Sequence, residues 1–371
     1  MKFSVTKDSY LQAVDTILNL IGTDVDCAFF VKNEKVMIET SKDEAWLRFV
    51  LDAEDIEGEG KFFTKVEYLK VIKPGKHRTL SMQFDENNET LSITLGRSRG
   101  YLQLIEEDEA IINKPELVVP IISKIPAKVI KFATLATSFK PLLDSSQPNS
   151  IINVNTEEFS LSAYDSYIGT HYETKNEYIK TKDKLELLVE MEYWRVLANK
   201  IKPEGKVGLG GDSHFFRVKT DYFDLYHAAI QEDTQDVKEV IQTLKSESAS
   251  RAVIEFDGNA VTEAITFVKS IIKTSDKDEA CFYITLRDKK AFISAESSFG
   301  KMEADFDVLG LGDGGEEINF QVSAGAFADV LKLTRDEAMK YGPAKLTVTE
   351  EYLIMESLKV PASSVSPLLG E

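Results

Sequence analysis

CAFFVKNEKVMIETSKDEAWLRFVLD, residues 27–52, holds the pattern on which the fold turns. Apolar and polar side chains alternate through it, with Asn and Asp as punctuation, so it reads as a strand, a turn, a strand and a further strand. The same reading applies to SIINVNTEEFSLSAYDSYIGTHYE at 150–173 and to CFYITLRDKKAFISAESSFGKMEADFD at 281–307. A helical segment precedes each run, beginning near Lys7, Ala127 and Asn259. A second helical segment follows each, entered from a short strand: FFTKVEYLKVIK from Phe62, LLVEMEYWRVLANKIK from Leu187 and INFQVSAGAFADVLKLTR from Ile318. In the first of these Val66, Leu69 and Ile72 recur at helical spacing. Hairpin patterns close the units, as in TLSMQFDENNETLSITLGRSRGYLQLI, KVGLGGDSHFFRVKTDYFDLYHAAI and AKLTVTEEYLIMESLKV. The order helix, strands, helix, strands thus occurs three times, which predicts an α+β chain of three repeated domains, each with two helices packed on antiparallel sheets.

At 371 residues the chain has room for two to three domains of about 150 residues each, and the repeat selects three: 1–120, 121–247 and 248–371. Links are expected near 113–127, which holds Pro115, Pro120 and Pro126, and near 245–251, around LKSESAS. With 43% apolar residues each third can build its own core. The opening MKFSVTKDSY lacks an apolar signal-peptide core, and no run approaches the roughly 18 apolar residues of a membrane span. A soluble, cytoplasmic chain with no membrane partner is expected. Cys27 and Cys281 each open the first strand after the first helix of their third, and are expected to be small buried hydrophobes rather than a disulfide or a thiolate metal site.

Charge is unevenly spread. The chain has 44 basic and 62 acidic residues, net −18, which argues against a nonspecific nucleic-acid coat. The helical segments oppose that total: residues 63–78 carry a net +4 and residues 127–141 a net +3. One basic helix face is ordinarily a solvated surface. Five of the six helical segments leaning the same way in an acidic chain instead suggests a positive strip that touches phosphates weakly and without sequence preference.

With these features together, the chain resembles the bacterial-type β sliding clamp, the processivity factor of replicative DNA polymerases, over essentially its whole length. The opening MKFSV is similar to the family's first strand, and Gly96, Arg97, Ser98 and Arg99 in LSITLGRSRGYLQL look like its GRSR hairpin. The resemblance implies a ring of two three-domain chains joined head to tail, with helices lining a central hole and sheets outside. It implies sequence-independent contact with double-stranded DNA, DNA polymerase and clamp loader as partners, a homodimer at the nucleoid or replication fork, and neither catalysis nor a cofactor. On the matching helices the DNA-facing residues would be Lys65, Lys70, Lys73, Lys76, Lys128, Lys131, Lys140, Arg195, Lys200, Lys202, Lys269, Lys273, Lys332 and Arg335. A cleft for short peptides of replication and repair proteins would draw on Tyr167, Ile168, Gly169, Val240, Ile241, Pro367, Leu368 and Leu369. The subunit interface would use Arg97, Arg99, Gly100 and Tyr101 on one side and Ile271 and Ile272 on the other.

The chain also departs from the family. Tyr164, Asp165, Ser166, Tyr167 and Ile168 stand where the family has a TDGHR-like run, so the cleft loses a basic residue. The basic loop after the first helix is shortened to Gly22, Thr23 and Asp24. Gly100 replaces the aromatic that follows GRSR, with Tyr101 next along, which predicts weak ring closure with a monomer–dimer equilibrium, or a differently compensated interface. Divergence of this kind suits a copy encoded by a phage or mobile element.

Other chemistries fit poorly. Gly310, Gly312, Gly314 and Gly315 are flanked by Asp313, Glu316 and Glu317 and open no helix directly, so they read as a hairpin loop rather than a phosphate cradle. Gly75–Lys76 lacks the rest of a P-loop and suits a turn past a helix. His77, His171, His214 and His227 lack zinc-protease spacing, and pairs such as Asp305 with Asp307 or Asp24 with Asp26 read as solubilising charge. Two non-clamp readings stand beside the clamp: an acidic DNA-mimicking inhibitor, and a scaffold that uses the peptide cleft without encircling DNA.

Overall fold

A computed structural model describes the chain except for residues 86–89, 117, 143–146, 157, 176–178, 182, 213, 273–279, 311–316, 337–339 and 370–371. The first third runs β1 (Lys2–Thr6), α1 (Lys7–Leu20), β2 (Asp26–Lys32), β3 (Lys35–Lys42), β4 (Ala45–Leu51) and β5 (Ala53–Glu57). It continues with β6 (Gly60–Lys65), α2 (Val66–Lys70), β7 (Thr79–Asp85), β8 (Thr90–Leu95) and β9 (Ser98–Leu102). The second third starts over with β10 (Ser123–Pro126), α3 (Ala127–Thr137), β11 (Asn149–Asn155), β12 (Glu158–Tyr164), β13 (Gly169–Lys175) and β14 (Lys180–Thr181). It goes on with β15 (Leu185–Glu190), α4 (Met191–Lys200), β16 (Lys206–Gly211), β17 (Phe215–Lys219) and β18 (Phe223–Ala228). A further helix, α5 (Val237–Glu247), leads into β19 (Ala252–Asp257), α6 (Gly258–Ile272), β20 (Cys281–Arg287), β21 (Lys290–Ser297) and β22 (Gly300–Asp307). The chain closes with β23 (Ile318–Ser323), α7 (Ala324–Val330), a 3-10 turn Leu331–Thr334, β24 (Pro343–Val348), β25 (Tyr352–Ser357) and β26 (Ala362–Pro367).

The local chemistry is that of the sequence. Thr6 caps α1 by accepting the Ser9 N–H, and Tyr10, Val14, Ile17 and Leu20 bury one face of that helix. Asn33 and Glu34, both at positive φ, make the two-residue turn between β2 and β3, and Asp288 and Lys289 make the same turn between β20 and β21. The expected long helix after β6 is only five residues, Val66–Lys70. Pro74 disfavours helical backbone at Lys73, and β-branched Val71 and Ile72 do not extend the helix, so the basic run leaves it as an exposed turn. Two expected links also prove structured in part: Ser123–Pro126 is a strand and α5 reaches Glu247.

The chain forms two compact units. The first comprises residues 1–127, 180–185 and 196–231, and the second 128–179, 186–195 and 232–371. In the first, a five-stranded sheet has the order β5-β1-β7-β8-β9 and a nine-stranded sheet the order β14-β10-β16-β17-β18-β4-β3-β2-β6. Strands from two thirds of the sequence merge where β18 pairs with β4, Leu225 opposite Leu47 and Tyr226 opposite Trp46. Phe29 stacks on Phe62 at 4.6 Å beside Phe3, each a fully buried ring that contributes roughly 2–3 kcal/mol. In the second unit an eight-stranded sheet has the order β15-β11-β12-β13-β26-β25-β24-β19, and a four-stranded sheet the order β22-β21-β20-β23. Here the merging pair is β13 with β26, Gly169 opposite Val365. Each unit thus fuses strands of neighbouring repeats, which divides the middle third of the sequence between them.

Candidate functional site

The basic residues differ in what already engages them. In the first unit Lys65 ends β6, Lys70 ends α2, and Lys73 and Lys76 are exposed in the turn beyond. Tyr10 fixes α2 on α1 by donating its buried hydroxyl to the Leu69 carbonyl at 2.7 Å. The Lys7 ammonium donates to the Gly75 carbonyl and adds to this group a cation that sequence reasoning did not single out. Lys65, Lys70, Lys73 and Lys76 form no ion pair among the described residues. By contrast Lys200 is paired with Asp15, and the Lys202 ammonium lies 4.8 Å from the Tyr222 ring centre.

In the second unit Lys128 and Lys131 lie on α3, and Lys140 follows it with its N–H on Asp329 Oδ2 at 2.7 Å. The same carboxylate accepts Lys332 at 2.5 Å, and Arg195 pairs with Glu192 at 2.7 Å one turn earlier on α4. The Arg335 guanidinium stacks 4.5 Å over Tyr341. Lys269 lies in the last turn of α6, and Lys273 falls outside the described residues. Nearby carboxylates therefore offset Arg195 on α4 and Lys332 in the 3-10 turn after α7, whereas residues 63–78 carry a net +4.

Of the eight expected cleft residues, Tyr167, Ile168, Gly169 and Val240 line one cavity of about 270 Å³ in the second unit. Its other walls are Val237 and Leu244 on α5, Tyr352 on β25 and Val365 on β26. Asp165 shapes the lip by accepting the Tyr167 and Ile168 N–H groups, both at 2.7 Å. A Cβ at Gly169 would sit 3.1 Å from Val237 and 3.3 Å from Val365, so glycine lets α5 approach β13. Ile241 is buried beneath the wall. Leu368 and Leu369 go elsewhere: they line a depression of about 570 Å³ with Arg251, Tyr283 and Phe292. Backbone bonds hold them there, from Leu368 N to Glu351 O at 2.7 Å and from Leu369 N to Gln321 O at 3.0 Å, while Pro367 ends β26 opposite Tyr352. The sequence reading missed Val237, Leu244, Tyr352 and Val365. The first two were legible as part of a 237, 240, 241, 244 helical stripe opened by Asp236, whose carboxylate caps Glu239 N–H at 3.0 Å. The other two depend on the β13–β26 pairing, which leaves no local signal.

Beside the cavity, His171 is buried between the Ser162 hydroxyl at 2.8 Å and Glu173 at 3.4 Å. Burial pushes its pKa down while Glu173 pulls the other way. Glu173 in turn binds Lys238 of α5 at 2.5 Å. This chain of contacts ties the helix wall to the sheet.

The expected interface residues lie at two sheet edges. In the first unit β9 is an edge strand, and the exposed Arg99 guanidinium lies 5.3 Å from the centre of Tyr101, itself 66% exposed. Gly96, at φ +58°, turns the hairpin; a Cβ there would fall 2.4 Å from the His77 ring. Arg97 is exposed in that turn, and no atom would come within 4 Å of a Cβ at Gly100. In the second unit β22 is an edge strand packed by α6. Ile271 and Ile272 are buried within their own chain, and the exposed apolar groups on these elements are Phe267 of α6 and Phe299 of the β21–β22 turn.

Two of the acidic residues singled out in the sequence have ordinary partners. Asp305 is bound by Lys290, and Asp26 accepts the Ile111 N–H at 2.9 Å. Burial pushes the Cys27 thiol up to about 12, whereas Cys281 is partly exposed. No cluster of three or more His, Cys, Asp or Glu that could hold a metal occurs among the described residues, and none of their helices is long and apolar enough to cross a membrane. Gly312, Gly314 and Gly315 lie outside the described residues.

Fused sheets, three helix-strand repeats and paired helices define a class of fold: over its whole length the chain has the fold of bacterial DNA polymerase III β sliding clamps. The β subunit of Streptococcus pyogenes DNA polymerase superimposes with a TM-score of 0.78 at 12% identity, with 100% of both chains covered. The Pseudomonas aeruginosa DNA polymerase III β subunit gives 0.77 at 14% identity, again over 100% of both chains. A Helicobacter pylori β clamp bound to a DNA ligase peptide gives 0.76 at 13% identity and the same coverage. No family sequence model matches the chain, and no curated protein matches it by sequence.

Proposed function

We propose that this protein is a DNA sliding clamp, non-enzymatic, with domains 1–120, 121–247 and 248–371. Two copies close head to tail, the β9 edge of one against the β22 edge of the other, and duplex DNA passes through the ring while DNA polymerase is tethered to it. Likeness to β clamps along the entire chain, at TM-scores of 0.76 to 0.78, supports this reading. Retention is topological, so weak phosphate contacts from Lys65, Lys70, Lys73 and Lys76 suffice and sliding is not penalised by tight binding. A clamp loader opens the ring at the β9–β22 junction. The cavity walled by α5 takes short peptides of the polymerase and of other replication and repair proteins, as the Helicobacter pylori clamp takes a DNA ligase peptide. Closure is modest in strength, because Tyr101 with its stacked Arg99 is the aromatic at a position where Gly100 offers no side chain. Light scattering from nanomolar to tens of micromolar tests this: a mass near twice 41.6 kDa is expected at the high end, falling towards 41.6 kDa on dilution. A monomer at every concentration would remove the ring.

A further inference from the structure

We infer that the cavity walled by α5 selects a short peptide whose apolar anchor is flanked by lysine or arginine. The inference rests on the docking reading above and gives the docked peptide a charge. Apolar groups form the walls, with Ile168, Val237, Val240, Leu244 and Val365 around the space. At about 270 Å³ it suits one or two side chains, and lies below the roughly 300–1,000 Å³ of small-molecule sites. Among the described lining residues the one carboxylate is Asp165, and there is no Lys, Arg or His.

The segment that brings Gln235 and Val237 to the cavity wall is acidic. Glu232, Asp233 and Asp236 are exposed on the segment leading into α5; Glu239 is exposed on its first turn, on the face away from Val237, Val240 and Leu244. None of these four forms an ion pair among the described residues. The two cations of α5 are both spoken for, Lys238 by Glu173 at 2.5 Å and Lys245 by Glu356 at 2.8 Å. Asp236 and Glu239 have a local reason to be acidic, since they complement the N-terminus of α5. Glu232 and Asp233 precede the helix and cap nothing among the described residues, so their charge is available to a ligand. An acidic peptide would meet this rim with like-charge repulsion, whereas a basic one meets complementary charge around an apolar socket.

The test uses the full chain and fluorescence anisotropy at about 0.15 M salt, where charges further apart than about 8 Å are screened. Two labelled peptides share a Leu-Phe pair; one carries flanking lysines and the other flanking aspartates. The lysine-flanked peptide is expected to bind about tenfold tighter. The combined variant Glu232→Gln, Asp233→Asn, which spares Asp236 and Glu239 at the start of α5, should shrink that ratio to below about threefold with an unchanged melting curve. Val240→Gln with Leu244→Gln should weaken both peptides. Equal or tighter binding of the aspartate-flanked peptide, lost in Val240→Gln/Leu244→Gln, overturns the charge preference and leaves the docking reading standing. Lysine-flanked binding that survives Val240→Gln/Leu244→Gln, or no binding of either peptide, overturns both.

Discussion

Arg217 is a charge with little access to water, and each of its three guanidinium nitrogens has a hydrogen-bond partner. Its guanidinium binds Asp224 twice, at 2.7 and 2.6 Å, donates to the Val119 carbonyl at 2.8 Å, and lies 4.8 Å over Tyr226, which meets Trp46 edge-on. These contacts gather at the seam where β18 joins β4, so the residue holds two repeats in one sheet. Arg217→Ala leaves Asp224 with only Lys219, 3.7 Å away, and should lower unfolding free energy by about 2 kcal/mol in urea titration, with Arg217→Lys recovering only part because lysine cannot make the two-point contact. His171 makes a pH-dependent contribution. Its pKa is held below the usual 6.5 by burial, so the unfolded chain binds the proton more readily than the folded one. Stability is therefore full above about pH 6.5 and declines as pH falls through that value. Burial raises the Glu173 carboxyl, but Lys238 and His171 hold it below 4.5 overall, so its contribution is lost only at more acid pH. Melting temperatures followed by circular dichroism should drop between pH 7 and 5, and His171→Gln should flatten that drop.

Among the elements, the hairpins were the most legible. Alternation with Asn33–Glu34 or Asp288–Lys289 at the turn specifies partner, register and buried face locally, which is why β2–β3 and β20–β21 agree with the sequence reading. Helix α2 was overextended because the basic run after Lys70 keeps some helical spacing, while Pro74 and the β-branched pair before it end the helix. Helix α5 runs into the link expected near 245–251, and its stripe and its Asp236 cap are the local signals that mark it. The candidate cavity was half legible for the same reason: its loop and part of α5 carry local signals, but Tyr352 and Val365 enter through a sheet pairing between residues almost two hundred positions apart. The C-terminal leucines were read by position alone, and backbone bonds to Glu351 and Gln321 take them to a different depression. Edge strand β9 presents an exposed Tyr101, so Tyr101→Ala should leave the melting temperature unchanged and weaken self-association about tenfold in sedimentation equilibrium. An unchanged association constant would move the interface away from β9.

For the whole molecule, the repeat was visible because each third writes the same helix and strand order, and the fold follows from that order despite 11–14% identity to solved clamps. What no third of the sequence could reveal is that sheets run through the joints between repeats, at β18–β4 and β13–β26. Net charge at this scale is also deceptive: −18 overall coexists with a basic run, Lys70, Lys73 and Lys76, that forms no ion pair among the described residues. Replacing those three lysines with glutamate should leave folding intact and shorten the lifetime of the protein on DNA severalfold, with the largest effect at low salt. Encirclement itself is tested most directly by loading the protein on nicked circular DNA, cutting the circle once with a restriction enzyme, and following bound protein by gel filtration. Retention on the circle and release from the linear product is the predicted result; equal retention on both, or release from both, would contradict a clamp and favour a scaffold that never encircles DNA.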